Sequence, residues 1–487
     1  MKITHLSVFV LFILLLACQS VHLLADQQPY QIPVPVKQKL DKAGVPESAA
    51  GIYVHEIGAD LPIIAVNADV PMNPASVMKL VTTYAGLEVL GPAYSWQTIL
   101  YGHGKIEAGV LHGDLVIKGY GDPKLDLENF WLLIHRLRQT GLHEITGNLI
   151  LDYSHYDIPD DDPGAFDGQP YRTYNILPEA LLVNYRSTAL HFMPEPEKNV
   201  VRVVADPIPD SLVLLNNLKL SNRTCGSDWR SFMDIEIQTN QEGSNHMLVT
   251  LNGSFSAQCG RRSFLLGLHD SATYTRDLFR RLWSQQGGVF KGDVVVAKAP
   301  ANLVHIKTYH SPPLAEIIRG INKFSNNIAA RQLFLTLGTA GSISRSRAPA
   351  TLDKSEQALK QWLASKQLFF PELVVENGSG LSRNERISAR HMGQLLLTAF
   401  QSPVMPEFIS SMPIAAADGT MRNRMTGTTV SGVAHMKTGT LNSVRALAGY
   451  MLNKSGQRFV VAIFVNHALA DRSGVAMDAL LQWIYDR

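Results

Sequence analysis

"NPASVMKL", residues 73–80, sets a hydroxyl and an ammonium three residues apart inside an apolar run. In a helix, Ser76 and Lys79 fall one turn apart on the same face, a spacing at which an amine can take a proton from a hydroxyl. The same letters also describe a helix cap followed by an ordinary surface lysine, and S-x-x-K alone does not separate the two. Asn73 suits a cap, Pro74 a first turn and Gly91 a helix end, so residues 73–91 predict a helix with Ser76 near its start.

Working outward, "AGIYVHEIG" (50–58) and "PIIAVN" (62–67) predict two strands joined by a turn. From about residue 95 the texture changes to short β-like segments, with one helix in "ENFWLLIHRLRQTG". Residues 154–180 are loop-like, rich in Asp, Pro, Gly and Tyr, and 184–265 is again β-rich. "DSATYTRDLFRRLWSQQG" predicts a helix and "VFKGDVVVAK" a strand after it. Near residue 300 helices return, in "PLAEIIRGINKFSNNIAARQLFLTLG" and "KSEQALKQWLASK". "VRALAGYML" and "RFVVAIFVN" predict a hairpin whose unbroken apolar runs imply burial, before a last helix over 474–485. The simplest organisation is one helix-plus-sheet domain, 26–95 and 300–487, split by an insertion. Within the insertion, 96–183 and 266–299 form one inserted domain and 184–265 a second, β-rich one.

The 487 residues suit about three domains, and 46% hydrophobic with 18% charged residues describes a globular chain with ample core. A formal charge of +2 gives no basic surface for nucleic acid. Walker and dinucleotide glycine patterns are missing, since "GYGDP" (119–123) does not continue as G-x-G-x-x-G. The sixteen histidines fall in no H-E-x-x-H or paired Cys/His spacing, so neither a metal nor an organic cofactor is expected. "MKITHLSVFVLFILLLACQS" has an apolar core of about 12 residues, short of the roughly 20 that a span needs, and reads as a signal peptide. Two processing routes fit: cleavage after Ala25, or lipidation at Cys18. Either exports the chain, and Cys225 with Cys259 then most simply forms one disulfide, worth about 3–4 kcal/mol in the chain-entropy model.

Two further motifs follow Ser76 and Lys79 in order. Ser325-Asn326-Asn327 stands at a loop-to-helix boundary in "KFSNNIAARQL", and Lys437-Thr438-Gly439-Thr440 leads into an apolar strand in "HMKTGTLNSVRALAGY". An acyl transfer at a peptide carbonyl needs an activated nucleophile, for which Ser76 is the candidate and Lys79 its base if burial and nearby cations lower its pKa. Ser325 could relay a proton to the leaving amine, and Asn327 could bind the substrate amide. Lys437 offers a positive charge to a terminal carboxylate, Thr438 a hydroxyl, and Gly439 close approach of the substrate backbone to the strand. Asn326 reads as a helix-start residue and Asn442 as a turn residue; Arg445 could bind a carboxylate but reads more simply as structural, and Asp122 and Asp152, acidic groups at strand ends, read most simply as turn residues.

Together, in this order, the motifs resemble those of the penicillin-recognising serine acyltransferases. More closely, with "KGYGDP", "ENGSGLSR" and "AADGTM", the chain resembles the class C low-molecular-mass penicillin-binding proteins, the serine D-alanyl-D-alanine carboxypeptidase/endopeptidase family. Glu376 stands where Asp is more usual. The resemblance implies a multidomain α+β fold: a penicillin-binding-protein/β-lactamase-like transpeptidase domain, an antiparallel sheet flanked by helices, split by a large β-rich insertion. It implies an oxyanion hole from the N–H groups of Ser76 and Thr440, and an Asp152 that meets the free amine of a diamino-acid side chain. It further implies a DD-peptidase of the bacterial periplasm or envelope, acting on peptidoglycan stem peptides and trapped covalently by β-lactams. A β-lactamase or esterase on the same core, or a non-catalytic envelope scaffold, are the alternatives. The balance of carboxypeptidase and endopeptidase activity is not set by the sequence.

Overall fold

The computed structural model describes residues 31–239, 246–268, 270–340 and 348–487, so the signal peptide and Cys18 lie outside the described residues. Five strands build the central sheet: β1 (Ala50–Glu56), β2 (Ile64–Val66), β3 (Ala434–Leu441), β4 (Val444–Leu452) and β5 (Arg458–Asn466). Their order is β3-β4-β5-β1-β2, and every neighbouring pair is antiparallel. The N-terminal strands therefore pair directly with the last strand of the chain, Ala50 opposite Val465 and Glu56 opposite Phe459.

Both faces of this sheet are covered, which explains the unbroken apolar run of β5. Val460, Ala462 and Phe464 join one core, with α2 (Lys79–Leu90), α3 (Leu314–Phe324), α4 (Asn327–Ala340), α5 (Leu352–Ser365) and α6 (Ala389–Gln401). Phe459, Val461, Ile463 and Val465 face the other way, against the N-terminal helix Val34–Ala43 and the C-terminal helix Gly474–Tyr485. α2 is buried on all sides from Lys79 to Leu87, the mark of a central helix rather than a surface one. That disposes of the reading in which Lys79 is an ordinary surface lysine.

The insertion carries two further sheets. Gln97–Glu107 and Val110–Gly119 form a hairpin, flanked by Val304–His310 and by Leu149–Asp152, under the helices Leu127–Arg138 and Ser271–Gln285. Residues 304–310, which the sequence reading assigned to the peptidase half, are thus a strand of the inserted sheet. "VFKGDVVVAK" is two short strands, Val289–Phe290 and Val294–Val296, broken at Gly292, where a Cβ would meet the Gly147 carbonyl oxygen at 2.0 Å. The second inserted sheet lies within 187–267, with Cys225 and Cys259 joined in a disulfide.

Where the chain leaves and re-enters the peptidase half, Trp96 and Ser311 are stapled together. Ser311 N donates to Trp96 O at 2.9 Å and Trp96 N to Ser311 Oγ at 3.0 Å. The loop 153–180 then runs back onto the peptidase half. Asp157 N donates to Ala350 O, Ala350 N to His155 O, and Gln332 Nε2 to Glu179 O. An inserted segment thereby becomes one wall of the cleft.

Candidate active site

The turn that carries Ser76 is held through one residue, Asn73, by both its side chain and its backbone. Asn73 Oδ1 accepts from Ala75 N at 2.8 Å, and Asn73 Nδ2 donates to Ser382 O at 2.8 Å. Its backbone exchanges two bonds with the Asn466 amide at the end of β5, 2.8 and 3.0 Å. Asn73 is therefore a turn clamp, not the helix cap expected. Ala75 takes a left-handed φ of 46°, a strained conformation for a residue with a Cβ, which this network holds in place. The chain then makes a short 3-10 turn, Ala75–Met78, and continues as α2.

Lys79 is fully buried and its Nζ lies 3.0 Å from Ser76 Oγ. Nζ also donates to Asn327 Oδ1 at 2.6 Å and to Ser379 O at 2.5 Å. A neutral amine has two N–H groups and one lone pair. A protonated Nζ donates to all three oxygens; once neutral, with its N–H groups on the two carbonyl oxygens, it has a lone pair to accept from the Ser76 hydroxyl. Burial holds the Lys79 pKa well below its usual value, and the Lys437 charge and Arg331 push the same way, opposed by Glu385.

Ser325 sits between α3 and α4 in a left-handed conformation, φ 57°, that turns the chain from one helix directly into the next. Asn326 caps α4, its Oδ1 accepting from Ala329 N at 3.0 Å, which fits its reading as a helix-start residue. Lys437 Nζ donates to Ser325 Oγ at 3.0 Å and to Thr438 O at 2.8 Å. Lys437 is fully buried as well, and burial pushes its pKa down to about 7. Thr438 Oγ1 donates to Thr420 Oγ1 at 2.8 Å.

The glycine of K-T-G has a reason that the sequence did not show. A Cβ on Gly439 would stand 2.5 Å from the Pro74 carbonyl oxygen and 3.1 Å from Ala75 Cβ. Its bareness lets β3 close on the nucleophile turn. Gly380 does the same from the opposite side, with φ 79° and a Cβ position 2.0 Å from Ala75 O.

Ser76, Ser325, Asn327 and Thr440 line one cleft of about 360 Å³, together with Phe166, Asp167, Tyr174, Leu381, Leu441, Asn442, Arg383 and Arg445. Asp152 is not among them. It is fully buried, paired with Lys118 at 3.0 Å, and accepts from Ser154 N and Ala299 N at 2.8 and 2.9 Å. Burial works to raise its pKa, yet these donors outweigh that and hold it below the usual carboxylate range. Its oxygens are engaged by these partners and it lies outside the cleft that Ser76 lines. The acid that does face the cleft is Asp167, set in the loop 153–180 and oriented by Tyr174 Oη at 2.7 Å and Asn175 Nδ2 at 2.8 Å.

Two charges beyond the motifs also face Lys79. Glu385 is fully buried; Oε1 accepts from Glu376 N and Asn377 N at 3.3 Å, while Oε2 has no hydrogen-bond partner among the described residues. Burial pushes its pKa up to about 7, against those N–H groups and Lys79. It sits at the end of the segment 376–385 whose Ser379 carbonyl binds Lys79. Arg331, in α4, is half-buried within electrostatic reach of Glu385, and its pKa is lowered by burial, opposed by Glu385 and Asp161. "ENGSGLSR" marked this segment, but nothing local marked Glu385 as buried.

The sequence profile of the D-Ala-D-Ala carboxypeptidase 3 (S13) family matches residues 35–485. The chain is 25% identical over 422 residues to the D-alanyl-D-alanine carboxypeptidase DacB of Haemophilus influenzae, covering 86% of this chain and 85% of that one. It is 26% identical over 436 residues to a D-alanyl-D-alanine carboxypeptidase of an Actinomadura species, covering 86% and 78%. The crystal structure of penicillin binding protein 4 (dacB) from Haemophilus influenzae has the same fold, with a TM-score of 0.75 at 22% identity over 93% of this chain and 100% of that one.

Proposed function

We propose a residue-level mechanism for a chain that belongs to the D-Ala-D-Ala carboxypeptidase 3 (S13) family and is a serine DD-peptidase, a class C penicillin-binding protein. Ser76 Oγ attacks the carbonyl carbon of the penultimate D-alanine. Its proton passes to the Lys79 lone pair, and the N–H groups of Ser76 and Thr440 receive the oxyanion. The proton then crosses through Ser325, between Lys79 and Lys437, to the departing amine. Water hydrolyses the acyl-enzyme by the reverse path. Asn327 holds Lys79 on one side and the substrate amide on the other.

Lys437 and Thr438 take the carboxylate of the leaving residue. Burial pushes the Lys437 pKa down to about 7, and an arriving carboxylate acts against burial by favouring the charged ammonium. In place of Asp152, Asp167 with Arg383 and Arg445 suits the amine and carboxylate that end a diamino-acid side chain. β-Lactams enter as substrates whose acyl-enzyme persists. Among the described residues no helix is long and apolar enough to cross a membrane. Export to the periplasm rests on the N-terminal sequence, with a lipid at Cys18 as the second route.

The observation that carries this reading is the 3.0 Å Ser76–Lys79 contact at a fully buried lysine whose other partners are the carbonyl oxygens of Asn327 and Ser379. Ser76→Ala should abolish covalent labelling by a fluorescent penicillin while the melting transition stays in place. Labelling that persists and maps to another serine ends the assignment. Adduct half-life separates a peptidase from a β-lactamase, and absence of any labelling in the wild type would favour the scaffold.

A further inference from the structure

Strand β3 passes the cleft with its two ends in different surroundings. Thr440, Leu441 and Asn442 line the cavity that holds Ser76. Gly439 abuts the nucleophile turn. Thr438, one step further, is bonded to Thr420 and so to a separate cavity of about 430 Å³ between Phe324 and residues 419–424. A peptide extended along β3 with its scissile bond at Ser76 has its acyl part beside 440–442 and its leaving group beside 438. The second cavity is what lies beyond the leaving residue's carboxylate.

Its walls are fixed before any ligand arrives. Lys323 is buried and bridges Asp418 Oδ2 at 2.6 Å and Met412 O at 2.9 Å. Gly419 packs on the Lys323 carbonyl, where a Cβ would come within 2.5 Å. Arg424 is tied to Asp478 at 2.5 Å and Gly474 O at 3.1 Å. Two groups on this frame have no evident structural task. Phe324 is 69% exposed although it is adjacent in sequence to Ser325, and Arg422 is exposed and makes no ion pair among the described residues. A single exposed phenylalanine is ordinary; what sets this one apart is its place on the cavity wall, next in sequence to Ser325.

Resting on the reading above, we propose that Phe324, Thr420 and Arg422 form the leaving-group subsite for a cross-linked stem peptide. A carboxypeptidase releases one D-alanine, which ends at the carboxylate on Lys437 and needs no room beyond. Cutting a cross-link breaks the C–N bond to a diamino acid that carries a second stem peptide. The Ser76 Oγ–C bond forms, the amine leaves with the proton relayed from Ser76, and water later frees Ser76. The second stem passes over the Phe324 ring, and its carboxylates meet Arg422.

Two substrates test this: an uncross-linked pentapeptide muropeptide and a cross-linked muropeptide dimer, each with wild type, Phe324→Ala, Arg422→Glu and Arg422→Lys. The ratio of kcat/KM for dimer to that for pentapeptide should fall about tenfold in Phe324→Ala and Arg422→Glu, mainly through KM, with Arg422→Lys keeping most of it. Arg422→Glu lies away from Ser325, so it separates subsite loss from disturbance of the catalytic turn. An unchanged ratio in both variants, equal loss on both substrates, or a wild type that cleaves pentapeptide but no dimer overturns the proposal. A wild type that neither labels with penicillin nor cleaves either substrate overturns the parent reading instead.

Discussion

Gly439→Ala gives a sharp test of how the K-T-G strand serves the nucleophile. The added Cβ would start 2.5 Å from the Pro74 carbonyl oxygen, against the 3.4 Å at which ordinary contact begins, so strand and turn must part by about 0.9 Å. Both partners are backbone, one held by the Asn73 clamp and the other by its ladder to β4, and neither can swing aside. Ser76 follows Pro74 by two residues and moves with it. A misplacement of about 1 Å at a reacting atom costs on the order of 100-fold in rate, or about 2.7 kcal/mol of barrier. Stopped-flow acylation should show that loss with a penicillin and with a D-alanyl-D-alanine peptide alike, because the defect lies in the turn. A rate within about threefold of wild type would refute the reasoning, and a loss confined to the peptide would return Gly439 to a substrate-facing role.

Glu385→Gln keeps an acceptor for Glu376 N and Asn377 N but removes a carboxylate whose charge, present above about pH 7, raises the Lys79 pKa against burial, Lys437 and Arg331. Lys79 works as a base only when neutral, so the acid limb of the acylation pH profile should move to lower pH; movement to higher pH would refute the assignment. Asp152→Asn should destabilise the fold by about 3 kcal/mol through loss of its buried pair with Lys118, read as a lower melting temperature, and leave KM for a diamino-acid peptide unchanged. Because the Asp152 pKa is depressed, the contribution it makes should be present near neutrality and fade as pH falls through its folded value in the acid range. A raised KM in Asp152→Asn would place it back in the cleft.

Much of the site was legible because its chemistry is local in sequence. Ser76 and Lys79 share a turn, Ser325 and Asn327 a helix junction, and Lys437 to Thr440 a strand, so three short strings name eight positions that the fold brings together. The apolar run of β5 showed burial on both faces for the same reason. What escaped depends on partners far away in the chain. Asp152 looked available at a strand end, but Lys118 and Ala299, from different strands and loops, use up its oxygens. Asp167 lay in a loop with no pattern at all, and only its docking on the peptidase half gives it a place in the cleft. Glu385 and Arg331 look like surface charges until the helices close over them. Gly439 was singled out for close approach of a substrate backbone, and its approach to Pro74 escaped because Pro74 lies hundreds of positions earlier.

The pairing of β1 with β5 also sets when this enzyme becomes reactive. A chain threaded from its N-terminus delivers Ser76 and Lys79 early, as an ordinary hydroxyl and an ordinary protonated amine. What turns them into a nucleophile and a base arrives much later: Asn327 and Ser379 to take the amine's hydrogens, Lys437 to depress its proton affinity, and Asn466 to lock the turn. Sequence-distant pairing of this kind forms slowly, after the intervening insertion has been made. On the proposed mechanism the growing chain should therefore be chemically silent, with reactivity expected only once the last strand is in place.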